Sequence, residues 1–265
     1  MNKIKNVIFY IAVLLLFAGC DKDFVSINTD PFAISEIDQA LLFAGAQRTY
    51  LQGWESENTV AQQFVNPFND GATLAFNFNA DIDNFQNGSW GSYQGALKQF
   101  GNILHLLEGT NDRINLQSMT RIWKAQVFMN LVDHYGNVPY TNADLAAIGG
   151  EEFFFPTYDD DGAIYDDLYA ELKDAIGKLD AAGDFVSADL FYGLHAYNPN
   201  TEVAPQVAQW KKLGNSLLLR LGMRYSKVNP TKAASIVSEA FTAGVMTSND
   251  DNAFVVYDGT LFKWH

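Results

Sequence analysis

Residues 116–140 read LQSMTRIWKAQVFMNLVDHYGNVPY, and this stretch decides the fold class. Leu116, Met119, Trp123, Val127, Asn130, Leu131 and His134 recur at intervals of three and four, the spacing that lines side chains along one face of an α-helix. Gly136 permits a left-handed cap, Asn137 tolerates the turn, and Pro139 forbids continuation. The segment is therefore a long helix closed by a folded corner, which aims Tyr135 and Tyr140 onto neighbouring helices.

The same period extends outward in both directions. Upstream, Ile37, Leu41, Ala44 and Arg48 open a first helical pattern, and Tyr93, Leu97, Phe100, Leu104 and Leu107 form a second that Gly109 closes. Downstream, Pro156 and Thr157 start a helix carrying Ile164, Leu168, Leu172, Ile176 and Leu179. Trp210, Leu213, Leu217, Leu221 and Arg224 mark another, and Ala233 to Phe241 a shorter one after Pro230. Ala253 to Tyr257 reads as a short β-like run. The prediction is a mostly α fold of tetratricopeptide-like antiparallel helix pairs with long loops and few short strands. No strict 34-residue repeat is legible, so any repeats are degenerate.

The chain carries a net charge of -14, which opposes binding to nucleic acid and to anionic headgroups. One cysteine among 265 residues leaves no disulfide framework and no Cys-based metal site, so stability must come from a core. About 245 residues remain after a leader is removed, enough to bury one. Aromatic content of 14% is high for a soluble chain and places some rings on the surface.

That cysteine, Cys20, ends a leader-like segment. Lys3 and Lys5 form a basic head, Val7 to Phe17 is an apolar run too short to span a bilayer, and Ala18 and Gly19 supply small residues before the cysteine. Leu16-Phe17-Ala18-Gly19-Cys20 resembles a bacterial lipobox, which implies removal of residues 1–19 and acylation of Cys20. An ordinary signal peptide with a nearby cysteine is the alternative. Asp21-Lys22-Asp23 resembles the export signal that sends lipoproteins to the outer face of the outer membrane.

Three segments, in order, carry a more specific resemblance. Asp133-His134-Tyr135-Gly136-Asn137-Val138-Pro139-Tyr140 resembles the Asp-x-Tyr-Gly-Asp/Asn-Val-Pro-Tyr signature of the SusD/RagB family of outer-membrane nutrient-binding lipoproteins. Pro156 and Tyr158 with Ile164, Tyr165 and Leu168 match the following helix, and Asp189 to Gly193 with Trp210, Asn215, Arg220 and Arg224 match the most diagnostic stretch. The resemblance implies a signal peptide at 1–19, a lipid-anchored tether at 20–35 and a helical domain at 36–265, truncated at its C-terminus because family members run to about twice this length. It further implies a cell-surface protein, with no enzymatic activity and no cofactor. Such a protein captures an oligosaccharide and hands it to a TonB-dependent SusC-like barrel transporter; a peptide-binding member, or a helical scaffold without glycan binding, is the alternative. On physical grounds the signature residues Asp133, Tyr135, Trp210, Asn215 and Arg220 serve packing and buried hydrogen bonds, with Arg220, one turn from Arg224, in reach of an acid such as Asp133 or a loop carbonyl.

Candidate ligand contacts lie elsewhere. Aromatic rings bind sugars because the axial C–H face of a pyranose lies flat on a π surface, while amides and carboxylates bond its equatorial hydroxyls. Residues 76–90, FNFNADIDNFQNGSW, mix both ingredients, so Phe76, Phe78, Phe85 and Trp90 are the ligand-binding candidates, with core or loop anchoring as the competing reading. Asn79, Asp81 and Asp83 alternate as calcium ligands do but lack the downstream Gly and Glu of an EF-hand loop. His105, His134, His195 and His265 form no His-Glu-x-x-His pair, and no nucleophile elbow or phosphate-cradling loop is present in the sequence.

Overall fold

A computed structural model describes residues 23–30, 37–49, 63 and 89–256. Cys20, Phe76, Phe78 and Phe85, and the Asn79–Asp83 acids, lie outside the described residues. The chain divides into two units, Met1–Ile37 and Asp38–His265. Among the described residues of the first, a short helix, α1 (Phe24–Asn28), is closed by the Asn28 side chain donating to the Phe24 carbonyl at 2.7 Å.

The second unit is built from helices. In chain order they are α2 (Gln39–Thr49), a 3-10 turn (Trp90–Ser92) running through a π turn (Tyr93–Leu97) into α3 (Lys98–Leu106), then α4 (Ile114–Tyr135) and the four-residue α5 (Ala146–Gly149). A 3-10 turn (Glu151–Phe153), α6 (Asp161–Lys178), α7 (Val203–Arg224) and α8 (Pro230–Ala243) follow. The pairing among the described residues is α2 with α3, α3 with α4, α4 with α6, α6 with α7 and α7 with α8.

Hydrogen bonds at the ends fix direction. Asn115 at the start of α4 bonds Asp180 just past α6, while Asp133 at the end of α4 meets Tyr165 at the start of α6, so the two run antiparallel. Asn215 in mid-α7 donates to the carbonyls of Ala243 and Gly244 at the far end of α8, which makes that pair antiparallel too. This is the expected tetratricopeptide-like arrangement, with almost no strand: the isolated antiparallel bridge found among the described residues joins Val138 to Asp159.

α4 is the central helix. Leu116, Met119, Ile122, Val127, Phe128, Met129 and Leu131 are buried, and so are Asn115, Ser118, Thr120, Gln126 and Asn130 on its other sides. A helix enclosed all round cannot show a clean apolar stripe; of its buried polar groups, the Thr120 hydroxyl donates to the Leu116 carbonyl at 2.7 Å, whereas Gln126 Oε1 has no hydrogen-bond partner among the described residues. Each fully buried Leu, Met or Phe contributes about 1.5–3 kcal/mol of transfer free energy.

Three expectations need correction. Ile37 and Leu41 are exposed, Leu41 by 57%, and the buried positions of α2 are Ala40, Phe43, Ala46 and Gln47. The face is set by the Phe43 ring, 5.9 Å from Trp210 and 6.4 Å from Phe100, and by a buried hydrogen bond from Gln47 to Asp189. α6 begins at Asp161 rather than Pro156, because Asp159 is held in the bridge to Val138 and Asp160 is the N-cap, accepting from the Ala163 N–H at 3.1 Å. Residues 253–256 form no strand; a capped 3-10 turn (Asn249–Asp251) precedes them, with no partner strand among the described residues.

Candidate functional site

The corner between α4 and α6 is stitched by short-range chemistry. Gly136 takes φ +69° after its N–H closes on the Val132 carbonyl at 2.9 Å, a conformation that a side chain would strain. The Asp159 N–H then donates to the Val138 carbonyl at 3.0 Å, and the Asp159 carboxylate accepts from the backbone N–H groups of Tyr140 (2.9 Å) and Thr141 (2.8 Å) and from the Thr141 hydroxyl (3.1 Å). Asn137 accepts from the Asp161 N–H at 3.1 Å. Burial pulls the Asp159 carboxyl upward, but the donors from Thr141 and Tyr140 outweigh it and hold it below the ordinary carboxylate range.

Aromatic rings gather on this corner. Trp90 is half-buried with its edge contact to Tyr135 at 5.3 Å and 88°, and with Tyr93 at 5.0 Å. Tyr93 donates its hydroxyl to the Pro139 carbonyl at 2.6 Å, tying the ring pair to the corner. Tyr158 lies nearly parallel to Trp90, with the planes 24° apart and the centroids at 6.2 Å, and is 62% exposed. Three residues before it, Phe155 is 92% exposed and Phe154 is 55% exposed. Trp90, fixed by packing, and Tyr158, largely open to solvent, form a ledge, and Phe154 and Phe155 are exposed on the segment leading to it.

Of the sequence candidates, Trp90 is therefore on the ledge, and the other three lie outside the described residues. Sequence reading did not pick out Tyr158, Phe154 and Phe155 as contacts. The signal was present: three consecutive phenylalanines, Phe153 to Phe155, between Gly149-Gly150-Glu151-Glu152 and Pro156 cannot all face one core.

On the other side of the corner, an open cleft of about 590 Å3 runs between α4 and α6. Phe128, Leu104, Ile164 and Leu168 are among its apolar lining, and Arg121 and Glu171, bonded at 2.8 Å, lie at its edge. Tyr140 belongs to both sides: its ring meets Phe128 edge-on at 4.7 Å and its hydroxyl donates to Asp167 at 2.6 Å. Burial, reinforced by the bond to Asp167, pushes the Tyr140 hydroxyl's pKa well above its usual value, so it stays a donor. Arg121 is paired with Glu171, whereas Asp159, Asp160 and Asp167 on the lining accept only from neutral donors, so the cleft is acidic.

The remaining signature residues hold the frame. Arg224 grips Asp133 with its Nε and Nη2, Tyr165 donates to the same carboxylate at 2.5 Å, and Arg220 stands 4.0 Å away, so Arg224 rather than Arg220 is the direct partner. Asp189 is fully buried and accepts from Gln47 (2.8 Å), Trp210 (2.7 Å), Gln206 (3.2 Å) and the Phe191 N–H (3.0 Å). Among the described residues, no group of three or more His, Cys, Asp or Glu is placed to hold a metal, and no helix is long and apolar enough to cross a membrane.

The family described as "Starch-binding associating with outer membrane" matches residues 31–263. The chain belongs to the SusD-like family. Solved structures agree with this fold. A SusD-like protein described as Bacteroidetes AC2a superposes with a TM-score of 0.67 at 22% identity, covering 83% of this chain and 39% of that one. A chitin-binding protein gives a TM-score of 0.67 at 27% identity over 82% of this chain and 45% of its own. A chitin-binding SusD homolog from Flavobacterium johnsoniae gives 0.62 at 22% identity, over 82% and 45%. The SusD-like chain described here thus spans about two-fifths of the length of the structures it matches. No curated protein sequence matches it.

Proposed function

We propose that this SusD-like chain is a non-enzymatic nutrient-binding lipoprotein, held at the outer membrane through acylated Cys20, that captures an oligosaccharide and passes it to a TonB-dependent SusC-like transporter. In this reading residues 1–19 are the signal peptide, 20–35 the tether and 36–265 the binding domain. The observation that carries it is the exposed Tyr158 ring stacked on the half-buried Trp90 at this corner, in a chain of a family described as starch-binding and associated with the outer membrane. Stacking on such rings holds a sugar without bond cleavage. Two of the structurally similar proteins are described as chitin-binding, which makes β-linked N-acetylglucosamine oligomers the first ligands to try, beside starch-derived ones.

Isothermal titration of the purified chain with chitohexaose and maltohexaose, followed by chromatography of the sugar after overnight incubation, tests this directly. Binding with the sugar recovered intact is the expected result. Released reducing ends would replace capture with hydrolysis, and no heat with any neutral hexasaccharide would remove the glycan reading. Co-purification of a barrel protein with the tagged chain from its own membranes tests the hand-over.

A further inference from the structure

The cleft between α4 and α6 has an apolar floor and an uncompensated charge at one end. Because the two helices run antiparallel, its Arg121 end lies against Glu171 in the second half of α6, and its Phe128 end against Ile164 near the start of α6. The first end is balanced: Arg121 is held by Glu171 at 2.8 Å and by Asp174 at 2.6 Å. Lys124, the other cation on the lining, is 3.2 Å from the enclosed carboxylate of Asp144. The far end differs. Tyr140 is flanked there by two acids, its backbone N–H bonded to Asp159 at 2.9 Å and its hydroxyl to Asp167 at 2.6 Å, and Asp160 stands at the N-cap of α6. All three acids line the cleft, and their partners among the described residues are the neutral groups of Tyr140, Thr141 and Ala163. The positive end of the α6 dipole amounts to about half a charge, which three carboxylates outweigh.

We propose that this cleft binds a small organic cation, an ammonium or guanidinium group on an apolar stem, with the stem on the floor formed by Phe128, Ile164 and Leu168 and the charged head at the acids flanking Tyr140. A cleft of about 590 Å3 has the size of a site that encloses a small molecule. Neither the floor nor the acids would suffice alone. An inorganic cation gains nothing from an apolar floor, and no metal-holding group of side chains occurs among the described residues. A neutral molecule leaves the acids to solvent, and an anion is repelled by them. An organic cation covers the floor while its N–H groups reach free acceptor positions, since Asp160 and Asp167 each use one of about four in the bonds above. The Tyr140 ring is packed edge-on against Phe128 at 4.7 Å, so the acids bonded to that residue are in place before a ligand arrives. The cation site would stand whether or not the Trp90–Tyr158 ledge holds a glycan. A free amine and the basic side chain of a peptide carry the same chemistry, and suitable probes separate them.

Isothermal titration of the full chain at low salt tests this with phenethylamine and agmatine as free cations and acetyl-Gly-Arg-Gly-amide as a peptide-borne one. Phenethyl alcohol and hydrocinnamate are the neutral and anionic counterparts. At least one cation should bind, more weakly in high salt, and neither counterpart should bind measurably. Asp167→Asn keeps an acceptor for the Tyr140 hydroxyl but removes the charge; it should weaken binding about fivefold, as for an exposed ion pair, with an unchanged melting curve. Ala163→Leu, at an exposed position on the lining, keeps every charge and fills part of the cleft, and should weaken binding at least as much. Asp250→Asn removes an exposed charge away from the lining and should change nothing. Binding of a free amine assigns the cleft to small molecules and binding of the peptide alone assigns it to a basic side chain; either supports the cation site. Phenethyl alcohol bound as tightly as phenethylamine would overturn it, as would binding that Asp167→Asn and Ala163→Leu leave unaltered. So would equal weakening by Asp250→Asn and Asp167→Asn, or no cation bound at millimolar concentration. None of these results bears on glycan capture, which the hexasaccharide titrations read separately.

Discussion

Asp189 shows how much one residue can organise. Its carboxylate is wholly enclosed and joins α2, through Gln47, to α7, through Gln206 and Trp210, with no cation bonded to it among the described residues. Burial raises its pKa above the ordinary carboxylate value, and the donors from Gln47, Trp210 and the backbone only partly oppose this. Asp133 shows the opposite balance: burial would raise it, but the hydrogen bonds from Arg224 and Tyr165 and the charge of Arg224 prevail, and its pKa is lowered. The two acids therefore make stability depend on pH with opposite signs. A raised folded pKa gives stability that is complete below the unfolded value, about 3.9, and is lost as pH rises through the folded one. A lowered folded pKa gives stability present above that unfolded value and lost as pH falls through the folded one. Denaturant melts at a series of pH values should thus separate two variants. Asp133→Asn should lose about 1.5–3 kcal/mol near neutrality, with the gap from wild type closing in acid. Asp189→Asn leaves buried donors facing an amide N–H, at about 1–3 kcal/mol for each donor left unpaired, and its gap should be widest in acid and narrow as pH rises. Parallel pH profiles for the two would contradict the assignment. The sequence marked both residues as structural through the motifs around them, yet it gave no means of telling which of Arg220 and Arg224 reaches Asp133, since one helical turn separates them and only the crossing of α4 and α7 decides.

At the scale of elements, helix positions were legible and helix ends much less so. The three-and-four spacing located α6, α7 and α8 because each buries a stripe, and it located α4 through its large apolar residues although that helix is buried on every side. The start of α4 carries no local cap: Arg113 occupies the N-cap without a side-chain bond, and the orphan N–H groups of Asn115 and Leu116 are instead satisfied by Asp184 at 2.7 and 3.3 Å. A cap supplied from nearly seventy residues away has no sequence signature. The face of α2 was misplaced for a related reason, since its buried positions answer to Phe100, Trp210 and Asp189 on distant segments. Close packing of α7 was also invisible in the sequence. Gly222 faces α8, where an added Cβ would stand 2.9 Å from the Ile236 Cγ2 and 3.1 Å from the Val237 Cγ2. Gly177 in α6 has nothing within 4 Å of the same hypothetical atom. Both lie in the last turn of their helices, so alanine should favour each by less than the full value of about 1 kcal/mol that holds for a helix interior. Gly177→Ala should show that gain in a thermal melt. Gly222→Ala should instead lower stability by about 1–3 kcal/mol, because overpacking against α8 outweighs propensity. Equal effects at the two sites would mean that α7 and α8 are less closely packed than described.

For the whole molecule, charge and anchoring have to be considered together. The chain carries -14, and loss of Lys3 and Lys5 with a leader would make it -16, so the mature protein is repelled by anionic headgroups rather than drawn to them. Among the described residues, no helix is long and apolar enough to hold it in a bilayer. Acyl chains on Cys20 and a partner protein are two means of attachment to a membrane, and the two can be told apart. Each buried methylene contributes about 0.8 kcal/mol; one acyl chain alone gives marginal binding, whereas several on one cysteine hold a protein firmly. Detergent phase separation with Triton X-114 reads this property of the chain without any need for a barrel partner. The protein made in a lipoprotein-exporting host should enter the detergent phase and incorporate labelled palmitate. Cys20→Ala should do neither and should remain wholly aqueous, while its helical domain melts at the same temperature, since residue 20 precedes the Asp38–His265 unit. A Cys20→Ala chain that still entered the detergent phase would place the anchor elsewhere. In that case the lipobox-like run Leu16 to Cys20 would be an ordinary leader, and the surface capture proposed here would need a different means of staying at the membrane.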